Sequence, residues 1–133
     1  MITIIVNLSR FFMSSNYAQH RYHQELSCHC LRPGLHAPML VADYIETALN
    51  VAKKFEQQHN PLLQEFYLRR THHEIMNKMC DPLIHNAIRK QCLEQLYKPL
   101  LALKRFYKVH NNTAQFLILE REARILSHEF NPF

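Results

Sequence analysis

From residue 38 onward, apolar residues recur at steps of three and four. Val41, Tyr44, Ile45, Ala48, Ala52 and Phe55 fall on one side of the chain, and Asp43, Glu46, Asn50, Lys53 and Gln57 on the other. That period predicts a helix from Pro38 to about His59. Asn60-Pro61 then punctuates the chain. An Asn side chain accepts from orphan N–H groups at a helix start, and proline at the first helical position gives up a donor that had no partner. A second helix is predicted from Pro61 to about Met79. Leu62, Leu63, Phe66, Tyr67, Leu68, Ile75 and Met79 form its apolar face, with a polar belt from Arg69 to Glu74.

Asp81-Pro82 repeats the cap-and-proline device and predicts a third helix carrying Ile84, Ile88, Cys92 and Leu96. Pro99 should break that helix near Lys98, because it lacks a donor and crowds the preceding turn. Leu100, Leu103 and Tyr107 restart the stripe as far as about His110. Asn111-Asn112-Thr113 reads as a turn and a cap. Phe116, Leu119, Ala123, Leu126 and Phe130 then step by 3, 4, 3 and 4, the most regular stripe in the chain. The spacing suits packing against another helix.

The expectation is therefore an all-α fold, a small helical bundle of four to five helices over residues 37–133. It is preceded by a loosely ordered, partly disordered N-terminal arm over residues 1–36. Short connections make sequential helices antiparallel neighbours.

Composition narrows the function classes. The 133 residues contain one glycine, Gly34. Phosphate-cradling loops and dinucleotide fingerprints need several glycines, so both are excluded. No nucleophile elbow, carboxylate pair or metalloprotease helix occurs. His73-Glu74 resembles the start of a zinc-protease helix, but position 77, where the second histidine belongs, is Asn. The expectation is a protein that is not an enzyme.

Net charge is +5, with sixteen Lys and Arg against eleven Asp and Glu, and there are ten histidines. The surplus concentrates in residues 81–110, where six cations face only Asp81 and Glu94. Lys98, Lys104, Arg105 and Lys108, joined by Arg69 and Arg70 if folding brings them close, form a candidate nucleic-acid surface, with Phe106 and Tyr107 among the cations. The competing reading is a helix end whose cations complement the C-terminal dipole.

His20, His23, Cys28 and Cys30 offer four nitrogen and sulfur groups of the kind zinc takes, at a spacing that matches no common finger. His72, Met76 and Cys80 share one helix face, more in keeping with a helix–helix contact than with a soft metal. No cofactor is expected, with zinc the one candidate.

Residues 1–13 are apolar but too short to span a bilayer and lack a signal peptide's charged start and cleavage site. Met13 is an alternative start to Met1. The four cysteines, without a secretory signal, read as reduced thiols in a cytoplasmic protein.

A glycine-poor helical chain without catalytic motifs predicts a protein–protein interaction module: an adaptor, regulator or chaperone. Its candidate surface is Phe116, Leu117, Leu119, Ala123, Leu126 and Phe130, facing a partner protein or a second copy of the chain.

Overall fold

The computed structural model describes residues 33–132. Five helices follow in order: α1 (Pro33–Gln57), α2 (Pro61–Cys80), α3 (Asn86–Gln95), α4 (Tyr97–Val109) and α5 (Thr113–Glu129). No strand occurs among the described residues, and the all-α expectation holds. The central helix is α2, which packs against all four others. The arm predicted over residues 1–36 lies mostly outside the described residues.

Three helix boundaries show how local chemistry was overridden or confirmed. Asn60 caps α2 as expected: its side chain accepts from the Leu63 N–H at 3.2 Å, with Pro61 at the first helical position. By contrast, α1 begins at Pro33, inside the segment assigned to the arm, and carries Pro38 within it. Pro38 forfeits one bond near the helix start, while its own carbonyl accepts from Gln95 Nε2 on α3 at 3.2 Å. Asp81-Pro82 does not open α3. Asp81 instead closes a tight turn by accepting from the Leu83 N–H at 2.9 Å. The helix starts at Asn86, capped by His85 Nδ1, which accepts from the Ala87 N–H at 3.1 Å. Asp81 favours turns as strongly as caps, and here the turn lets Ile84 reach the core.

The predicted break before Pro99 falls at Leu96, where α3 and α4 meet almost end to end. Pro99 occupies the first turn of α4, so its missing donor interrupts no helix interior. In place of glycine, two left-handed residues terminate helices: His59 (φ 56°) after α1 and Asn111 (φ 55°) after α4. In each case the following residue turns back on the helix, Asn60 N–H to Phe55 O at 2.9 Å and Asn112 N–H to Tyr107 O at 2.8 Å. His and Asn are among the side chains that best tolerate this region.

The core forms two clusters. One gathers Val41, Tyr44, Ile45, Ile75, Met76 and Met79 with Ile84 of the turn before α3, Ile88 and Cys92 of α3, and Leu96 at its end. The other gathers Phe55, Tyr67, Leu68, Leu103, Tyr107, Phe116 and Leu119. Leu49 and Leu100 touch both. Between the two clusters' contributions from α2 lie Thr71 and His72, both buried. The polar belt predicted from Arg69 to Glu74 is thus split: Thr71 and His72 face inward, and only the others approach solvent. Thr71 is satisfied by donating to Tyr67 O at 2.7 Å. Neither nitrogen of His72 has a partner among the described residues.

Polar ties pin the helices. Tyr44 of α1 donates to Glu74 of α2, and Tyr107 of α4 donates to Glu65 of α2 at 2.8 Å. Burial and these carboxylates hold both phenols above their ordinary pKa, so they remain donors. Arg89 of α3 donates to Met79 O at 2.8 Å and to Phe130 O at 3.2 Å. One cation therefore serves the carbonyl ends of both α2 and α5.

Candidate functional site

Three surfaces compete for function, and the structure places the candidate residues unevenly on them. The first is α5. Its regular stripe faces the bundle: Phe116, Leu119 and Ala123 are buried in the two core clusters and Leu126 is partly buried. As an external binding surface that stripe is corrected. Burying it holds α5 in place, and presenting it to a partner would require opening the fold. Of the six candidate interaction residues, only Leu117 and Phe130 are exposed.

The opposite side of α5 is also apolar. Leu117, Ile118 and Ile125 are 56%, 60% and 53% exposed. Ala114 and Arg121 lie on the same side at helical spacing. Arg121 has no ion-pair partner among the described residues, whereas Arg124 is held by Glu120 at 2.8 Å. A helix wet on one side normally shows polar residues there. In the sequence Leu117 and Ile118 already stand out as apolar residues beside the inward stripe; Ile125, seven residues after Ile118, completes the outer side and was missed.

The second surface is basic. Lys104, Arg105 and Lys108 stand exposed on α4 beside Tyr97 and Leu101. The candidate aromatics Phe106 and Tyr107 are buried instead and cannot stack on a base. Lys98 donates to Gln95 Oε1 at 3.1 Å. Arg69 and Arg70 sit on α2, where each meets a carboxylate one turn away: Glu65 at 3.7 Å and Glu74 at 3.2 Å. These are the carboxylates that receive Tyr107 and Tyr44. The six-cation set therefore reduces to three cations, Lys104, Arg105 and Lys108, with neither an ion-pair nor a side-chain hydrogen-bond partner among the described residues.

The third is a trough of about 650 Å³ between the second half of α1, the start of α2 and the second half of α4. Ala52, Leu68 and Ala102 are among its apolar lining, with Lys53 and Arg105 also lining it.

For metal, His20, His23, Cys28 and Cys30 lie outside the described residues. Among the described residues no group of three His, Cys, Asp or Glu side chains is placed to hold an ion. His72 and Met76 are buried and Cys80 is partly so, which places this trio in the packing of α2. Cys92 is buried, and burial pushes its thiol up to about 12. A thiol so far from ionising is a poor nucleophile. No helix among the described residues is long and apolar enough to cross a membrane. In comparisons with protein-family models, with curated proteins and with solved structures, nothing matches this chain.

Proposed function

We propose that this protein is a small helical protein–protein interaction module, an adaptor, regulator or chaperone, whose working surface is the outer side of α5. The observation that carries the reading is the exposed trio Leu117, Ile118 and Ile125 on a helix already fully engaged on its other side. Large apolar side chains clustered on one solvent-facing surface mark contact sites more often than singly scattered ones do. Arg121 among them selects for a partner helix with an apolar face and a carboxylate. The reading is non-enzymatic and assumes a reducing, cytoplasm-like compartment, in keeping with the free thiols of Cys80 and Cys92.

The double substitution Ile118→Glu/Ile125→Glu tests it. Both side chains are exposed, so each change should alter stability by no more than ~0.5 kcal/mol. The expected result is an unchanged circular-dichroism melt together with loss of one specific companion, or of a dimeric hydrodynamic mass, that the unaltered protein shows. Identical behaviour of the two proteins in both measurements refutes it.

A second reading, nucleic-acid binding through α4, rests on Lys104, Arg105 and Lys108. Three phosphate contacts predict a modest salt response. Affinity for DNA or RNA should fall roughly 40-fold between 50 and 200 mM salt, against roughly 2,000-fold for all six candidate cations. A filter-binding titration at the two salt concentrations separates these values, and no binding at 50 mM removes the reading.

A further inference from the structure

The trough between α1, α2 and α4 combines an apolar base with a cation on each of two walls. Its base is apolar and small-sided: Ala52 from α1 and Ala102 from α4 leave open the space over Leu68 of α2. The helices α1 and α4 both rest on α2 and touch each other only sparsely. Over this base, Lys53 from one wall and Arg105 from the other line the same cavity. Neither is held by an ion pair among the described residues, and Glu56 is the one carboxylate in the lining. Two cations on opposite walls of one apolar trough offer an anion charge from both sides.

We propose that this trough is a binding site for a free, single-chain amphiphilic anion, an aliphatic carboxylate. Its head group lies between Lys53 and Arg105 and its tail over Ala52, Leu68 and Ala102. The cavity falls inside the ~300–1,000 Å³ range of small-molecule sites. Leu49 to Glu56 and Ala102 to Val109 each cover eight residues, about 10 Å of helix from first to last, the scale of one short alkyl chain with its head group. No residue of α5 lines the trough, so the site is independent of the docking surface proposed above.

Octanoate is the probe, with octyltrimethylammonium and octanol as comparators of the same tail. Calorimetry should show one-to-one binding of octanoate near ~0.1 mM, the scale open to a ligand of this size. Both comparators should bind at least ~10-fold more weakly. Methyl resonances of Ala52, Ala102 and Val109 should shift, and those of Leu117, Ile118 and Ile125 should not. Ala102→Phe fills the trough and should weaken octanoate ~10-fold or more. Lys53→Glu/Arg105→Glu alters only exposed positions and should reverse the preference towards the cationic probe. That second variant keeps the test decisive even if Ala102→Phe fails to fold. Equal affinity for all three probes, unsaturable binding, shifts centred on α5, or a charge reversal without effect would each overturn the proposal.

Discussion

Replacing His72 with phenylalanine should stabilise the protein and flatten its acid sensitivity. The imidazole is 1% exposed, and both of its nitrogens lack a partner among the described residues. Burial first, and the neighbouring His73 second, lower its pKa to about 4. At neutral pH the ring is uncharged in the folded and unfolded chains alike, and histidine contributes no proton linkage there. Below about 6.5 the unfolded chain takes up a proton that the folded chain refuses until about pH 4. Stability is thus fully present above the unfolded pKa and drains away as the pH falls towards the folded one. The drop over that interval is ~3 kcal/mol, from 1.36 kcal/mol per pKa unit.

Phenylalanine removes this linkage and two desolvated polar atoms. At pH 7.5 it should gain ~1–2 kcal/mol, partly offset by the ring's larger bulk. Urea unfolding of both proteins at pH 7.5 and pH 5 checks both statements. Carboxylates titrate in both chains, so the difference between the two isolates position 72. If wild type and variant lose the same stability on acidification, the account of His72 is wrong.

His72 also shows where sequence reasoning stopped. Six consecutive polar residues from Arg69 to Glu74 look like a solvated belt, yet a helix turns 100° per residue. Any six-residue run must send at least one side chain inward. Which ones go inward depends on where α1 and α4 dock, and that information is not local. The same limit explains α5. Its two apolar sides were both written in the chain, at Phe116, Leu119, Ala123 and at Leu117, Ile118, Ile125. Regularity favoured the first as a binding surface, although regularity is equally what a core requires. Helix existence was legible because periodicity and caps such as Asn60 act within a few residues. The turn at Asp81-Pro82 was not, since Asp and Pro serve turns and helix starts alike. The basic surface was legible as charge and illegible as availability. Glu65 and Glu74 had to be seen one helical turn from Arg69 and Arg70, a pairing that i, i+4 spacing does announce.

Two phenylalanines beside one tyrosine separate burial from contact. Phe55 stacks on Tyr67 with centroids 5.3 Å apart, and Phe66 meets the same ring edge-on at 5.4 Å. Aromatic geometry alone gives each pair ~0.5–1.5 kcal/mol. Their surroundings differ completely: Phe55 is 0% exposed within the second core cluster, whereas Phe66 is 55% exposed. Truncating Phe55 leaves a cavity beside Tyr67 in the second core cluster, and Phe55→Ala should cost ~3–5 kcal/mol. Phe66→Ala exposes no core and should cost ~1 kcal/mol or less. Domains of this size hold only ~5–15 kcal/mol in total, so the first change should shift the urea midpoint severely and the second only slightly. Equal losses from the two variants would mean that Tyr67 contact, rather than exclusion of water, carries this half of the core. A small loss for Phe55→Ala would mean that α1 and α4 close over the gap, and the trough they flank would shrink with it.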